Sequence, residues 1–198
     1  GSREIGKSGR YTPLMRARWS MAVLLTATAA IGACDPAPPP VGCSSALIVE
    51  ESTGRVLFEK AADIKRFPAS TTKIMTAILA LESGQLDVMF PVSRYASAQP
   101  PSKISLFPGQ QVRLRDLVAA ILLNSANYAA VVIAEGLAGS EDDFTERLNA
   151  LARQLGMTNS HFMNASGWPD PEHYSTPRDL SILAYRIITD FPDYYKYF

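Results

Sequence analysis

Two cysteines and two histidines are all that the 198 residues contain. Cys34 and Cys43 have no histidine cluster beside them, so they do not read as a zinc site. Charge of one sign is not in surplus either, with 19 basic residues against 19 acidic ones. A chain without a basic excess cannot neutralise a run of phosphates, which excludes a nucleic-acid partner. The apolar stretch Met21 to Ala33 is thirteen residues long, too short for a membrane span but the length of a signal-peptide core. No internal repeat and no Gly-x-Ser-x-Gly occurs, so His161 and His173 lack the nucleophile-elbow setting of a Ser-His-Asp enzyme and are read as structural.

What is present is an ordinary globular composition, 47% hydrophobic and 19% charged. The 155 residues from Ser44 onward (198 − 43) suffice for one core. Ahead of them, residues 1–33 read as an N-terminal extension and signal peptide. Met15 serves as a start, with Arg16 and Arg18 as its positive region. Residues 34–43, Pro-rich, read as a stiff tether. The stretch Ile31-Gly32-Ala33-Cys34 has the form of a lipoprotein cleavage site with Cys34 acylated. Ordinary cleavage after Ala27-Thr28-Ala29 and a Cys34–Cys43 disulfide are the competing readings. Gly1 to Ser8 matches the phosphate-loop pattern letter for letter, but no strand can precede residue 1, so it is read as chance.

From Ser44 the pattern is mixed. Ala46–Val49 and Arg55–Phe58 form a β-hairpin around the turn residues Glu50 to Gly54. A helix runs from Ser70 to about Ser83, and a short strand lies around Val88 to Val92. A Pro/Ser-rich loop spans 97–102, and Pro108-Gly109 makes a turn. Helices follow at about 114–123, 129–137 and 142–155, the last capped by Ser140 and stopped by Gly156. A final helix starts at Ser175 and Pro177 and ends near Thr189. Asn164-Ala165-Ser166 has the form of a glycosylation acceptor.

Chemistry concentrates in two places. In Pro68-Ala69-Ser70-Thr71-Thr72-Lys73 a hydroxyl and an amine stand three apart at a helix start, hence on one face. Such an amine, if desolvated and neutral, can take the hydroxyl proton. The second place is Ser125-Ala126-Asn127, small and polar between two apolar helical runs. It reads as a partly buried inter-helix connection whose side chains need partners.

With Phe107-Pro108-Gly109-Gln110, Leu155-Gly156-Met157-Thr158 and His173-Tyr174-Ser175-Thr176 beside them, these motifs make the chain resemble the D-alanyl-D-alanine carboxypeptidases, the low-molecular-weight penicillin-binding proteins, from about Ala46 to Phe198. The resemblance implies an α/β (α+β) fold of the β-lactamase/transpeptidase type. An antiparallel sheet is flanked by helices, with a helical lobe beside it and the active site between. It implies Ser70 as nucleophile, Lys73 as base, Ser125 as proton relay and Asn127 as holder of a substrate carbonyl, with no metal and no organic cofactor. The substrate would be a peptidoglycan stem peptide ending in D-Ala-D-Ala, and β-lactam antibiotics would acylate the same serine. The enzyme would be exported to a periplasmic or extracytoplasmic place, held to the membrane through a lipidated Cys34 or a C-terminal anchor that this chain lacks. Alternatives are a D,D-endopeptidase or β-lactamase of the same fold, or a non-catalytic cell-wall-binding lipoprotein. The family's Lys-Thr-Gly motif has no credible counterpart, since Lys7-Ser8-Gly9 precedes the export signal, so residues 44–198 read as a partial domain with an incomplete sheet, inactive alone. Ala126 stands where Gly is frequent and Tyr128 where Asp is frequent, and both are expected to reshape the pocket rim.

Overall fold

A computed structural model describes residues 40–100 and 106–197. The leader at 1–33, Cys34 and the tether as far as Pro39 lie outside the described residues, as do residues 101–105, which include the end of the Pro/Ser-rich loop. Strands β1 (Ala46–Val49) and β2 (Val56–Lys60) pair antiparallel, with Ala46 opposite Lys60 and Ile48 opposite Phe58. Their turn closes through Gly54, whose φ of 71° suits glycine and whose N–H reaches the Glu50 carbonyl at 2.8 Å. One face of this hairpin meets α6 (Pro177–Asp190), while Leu57 on it is 52% exposed.

Helix α1 (Thr72–Glu82) is the axis of the molecule, entered through a 3₁₀ turn at Ala69–Thr71. It touches α6 on one side and α3 (Leu114–Asn124), α4 (Asn127–Ala138) and α5 (Glu141–Gln154) on the other. Every residue of α4 from Tyr128 to Ala134 is buried. A helix that is apolar all round belongs inside, and α4 fills the centre of the helical lobe. Around it α5 presents Phe144, Leu148 and Leu151, spaced four and three apart so that they share a face. Full burial of such side chains is worth about 1.5–3 kcal/mol each.

The helix ends follow their local chemistry. The Ser140 hydroxyl accepts from the Asp143 N–H at 3.0 Å, with three acidic residues in the first turn of α5 to meet its dipole. Thr176 caps α6 in the same way, and Pro177 sits in its first turn. Three short elements escape the sequence pattern. They are α2 (Arg94–Ser97), α7 (Pro192–Tyr195) and β4 (Gln111–Arg113), which pairs with β3 (Met89–Pro91). Elements of three or four residues are too short to display a period, and β3 with β4 exists only because the chain returns past Gly109, whose N–H bonds the Val92 carbonyl at 2.8 Å. Phe90 on β3 lies against Gly136 of α4, where a Cβ would fall 2.3 Å from its ring.

Candidate active site

The start of α1 is strained and clasped. Ala69 has φ of +49°, a region costly for a residue with a Cβ. Gly167 (φ +80°) presses on it so closely that a Cβ there would stand 1.8 Å from the Ala69 carbonyl oxygen. Ser70 therefore sits in the 3₁₀ turn just ahead of the α-helix rather than inside its first turn. Lys73, in the first turn of α1, reaches back to that 3₁₀ turn. Lys73 Nζ donates to Ser70 Oγ at 3.1 Å and to the Ser166 carbonyl at 2.7 Å. As the second residue of the turn, Ser70 has an N–H with no helical carbonyl behind it, available to an incoming oxyanion.

Lys73 is 1% exposed and has no ion pair among the described residues. Burial alone lowers its pKa from the ordinary 10.5 to about 8, so a useful fraction is neutral near physiological pH. The opposite wall is the α3–α4 junction. Ser125 adopts φ of +53° and donates its hydroxyl to Ser70 Oγ at 2.8 Å, across 55 residues of sequence. Its side chain is exposed, not partly buried as the apolar flanks suggest, because the left-handed residue turns out of the junction. Asn127 opens α4 half-buried, its amide without a hydrogen-bond partner among the described residues. Ser70, Lys73 and Ser125 thus meet, and Asn127 stands beside them in the chain. Cys34 lies outside the described residues.

Ala126 and Tyr128 are both inside the lobe, at 0% and 3% exposure, so neither forms the rim. The helical turn that exposes Asn127 points its neighbours inward, and the Tyr128 hydroxyl is left buried without a partner. Both histidines are structural. His173 is buried, its Nδ1 accepting from the Met163 N–H at 3.3 Å and its Nε2 placed 2.9 Å from Thr72 Oγ1. That pattern makes Nε2 the protonated nitrogen, and burial holds the pKa down at about 4. The helix cap in its run comes from Thr176. What the motifs do not reveal is the 164–168 loop, whose Ala165 and Ser166 carbonyls accept from Thr76 Oγ1 and Lys73 Nζ, each at 2.7 Å. Main-chain acceptors leave no residue-type signal.

The largest cavity, about 680 Å³, is elsewhere. It lies between the hairpin and α6, lined by Leu47, Val49, Ile74 and Leu180, and holds no nucleophile–base pair. Among the described residues no cluster of three or more His, Cys, Asp or Glu could hold a metal, and no helix is long and apolar enough to cross a membrane.

The family description of D-alanyl-D-alanine carboxypeptidases matches residues 33–198. The chain belongs to that family. It is 36% identical over 162 residues to the D-alanyl-D-alanine carboxypeptidase DacF of Bacillus subtilis, covering 77% of this chain and 42% of that protein. It is 33% identical over 172 residues to DacA of Escherichia coli, covering 81% and 43%. Among solved structures, the D-alanyl-D-alanine carboxypeptidase DacD from Francisella tularensis superposes with a TM-score of 0.78 at 36% identity, over 82% of this chain and 40% of that one. Penicillin binding protein 5 from Haemophilus influenzae gives 0.76 at 31%, over 81% and 49%. This carboxypeptidase-family chain spans less than half the length of these relatives, and it has their β-lactamase/transpeptidase-type fold.

Proposed function

We propose that the chain carries the nucleophile and proton-transfer groups of a serine-type D-Ala-D-Ala carboxypeptidase. The observation that supports it best is the buried, unpaired Lys73 amine 3.1 Å from Ser70 Oγ, with Ser125 Oγ 2.8 Å away on the other side. Ser70 Oγ attacks the carbonyl between the two terminal D-alanines of a peptidoglycan stem peptide, and Lys73 takes its proton. The new Oγ–C bond forms as the C–N bond breaks. The proton passes to the departing D-alanine nitrogen by way of Ser125, whose hydroxyl is released when Ser70 becomes an ester. Asn127 holds a substrate amide carbonyl, and the Ser70 N–H supplies one oxyanion donor. Water then hydrolyses the acyl-enzyme. A β-lactam enters by the same attack, its ring C–N bond breaking instead. Family membership favours this reading over an endopeptidase, a β-lactamase or a non-catalytic cell-wall-binding lipoprotein.

Residues 1–33 act as an N-terminal extension and export signal, 34–43 as tether with Cys34 a lipidation point, and 44–198 as part of the peptidase domain, at work outside the cytoplasm. The length and composition of Met21–Ala33 support this. The test is to express the protein from its whole open reading frame, treat it with a fluorescent penicillin and locate the adduct by mass spectrometry. The adduct belongs on the peptide containing Ser70, and D-alanine should be released from a D-Ala-D-Ala peptide. An adduct on Ser125 or none at all defeats the assignment.

A further inference from the structure

We propose that Asn164, backed by Glu141, is a positioning residue for the Lys73 base: it moulds the 164–168 loop so that the Ser166 carbonyl holds the Lys73 amine. The inference rests on the reading of Lys73 as the base.

Asn164 Oδ1 accepts from the backbone N–H of Ser166 at 3.2 Å, of Gly167 at 2.8 Å and of Trp168 at 2.9 Å, and from Ser166 Oγ at 3.3 Å. Its Nδ2 donates to the Trp168 carbonyl at 2.9 Å. Among the described residues the loop from Asn164 to Trp168 makes no main-chain to main-chain hydrogen bond, so side chains shape it, and Asn164 makes the most of those bonds, with Ser166 Oγ also accepting from the Trp168 N–H at 3.3 Å. From behind, Glu141 Oε1 accepts from the Ala165 N–H at 3.0 Å while its other oxygen accepts from the Tyr95 hydroxyl at 2.8 Å. In front, the loop hands its carbonyls to Lys73 and Thr76, three apart on one face of α1, and Gly167 seats it on Ala69.

A neutral amine has two N–H groups and one lone pair. With one N–H held by the Ser166 carbonyl, the lone pair can face Ser70 Oγ, as proton abstraction requires. The loop is also part of what keeps water from Lys73. The other titratable groups bonded into this assembly are Glu141, Tyr95 and His173, with Asp170 and His161 beside the imidazole. His173 stays neutral above about pH 4, so it does not change charge where Lys73 titrates.

The experiment follows the ¹³Cε resonance of Lys73, assigned by its loss in Lys73→Arg, against pH in the unliganded full-length protein. The rate of penicillin acylation is measured over the same range. Loosening the loop admits water, so in Asn164→Ala the lysine midpoint should rise by about one pH unit, which alone lowers the neutral fraction at pH 7 about tenfold. Glu141→Ala should shift it less in the same direction. Glu141→Gln, which keeps an oxygen for the Ala165 N–H, should reverse most of that shift. If Asn164→Ala does not fold, the Glu141 pair carries the same test. The proposal is overturned if these variants lower the melting temperature but leave the midpoint and the pH profile of acylation where they are. A wild type that is not acylated at Ser70 defeats the reading of the site, while the titration, which needs no substrate, still decides whether the loop positions Lys73.

Discussion

The two sides of α1 are held by opposite means. Toward the helical lobe the contact is dry: α4 contributes seven consecutive buried residues, and Phe144 and Leu148 close over them. Near its N-terminus α1 buries Thr72, Lys73 and Thr76, each bonded to one partner that is far away in sequence. Burying apolar area is non-directional, so the lobe sets how firmly the molecule holds together without setting any one atom's position. Buried polar groups are costly unless paired in good geometry, so the polar face dictates where its atoms sit. A reacting hydroxyl needs the second kind of support and a stable scaffold needs the first.

Lys73→Met sharpens the contrast most. Loss of a general base should cut acylation by about 10²–10⁴-fold. Stability should move the other way. The Lys73 pKa is lower in the folded state than in the unfolded chain, so below pH 8 the fold carries the cost of a buried ammonium, roughly 3 kcal/mol, and sheds it as pH rises toward 10.5. Methionine removes that cost but leaves the Ser166 carbonyl unpaired at about 1–3 kcal/mol. A net gain of roughly 1 kcal/mol at pH 7, by urea unfolding, is the expected result.

Phe144→Ala is the converse. It should cost about 3–5 kcal/mol of stability by opening a cavity in the dry lobe. Labelling by penicillin per folded molecule should stay within about twofold, since additivity holds between well-separated sites. A large loss of labelling in the folded fraction would show that the lobe also steers Ser70.

Acid should strike the polar side first. His173 has its pKa depressed to about 4, so as pH falls from 6.5 the unfolded chain takes up a proton that the folded one refuses. Stability should therefore fall between pH 6.5 and 4, by roughly 3 kcal/mol. His173→Gln should flatten that part of a stability–pH curve. The smallest effect concerns Tyr128. Removing its unpartnered hydroxyl in Tyr128→Phe should leave stability unchanged or raise it by up to about 1 kcal/mol in thermal unfolding, with labelling unaffected.

Much was legible beforehand. The helices of the lobe announce themselves by apolar period and by caps such as Ser140, because those signals are local. The Ser70–Lys73 pair is legible for the same reason, being three residues apart where a 3₁₀ turn runs into a helix. Ser125 is readable as a motif, but its exposure and its bond to Ser70 Oγ depend on how α3 and α4 are brought against α1. The burial of Tyr128 is not legible, because a rim and a core position one residue apart differ only in which way the helix faces.

The sequence by itself determined where the long helices lie and the spacing that puts a hydroxyl beside an amine, since propensity, capping and three-residue periodicity act within one turn. The tertiary structure decided where that amine is held and how readily it loses its proton. The carbonyl that holds Lys73 and the Gly167 contact that shapes Ala69 come from a loop more than ninety residues away, that loop adds to the desolvation of the amine, and low dielectric and directed hydrogen bonds exist only once distant segments have packed.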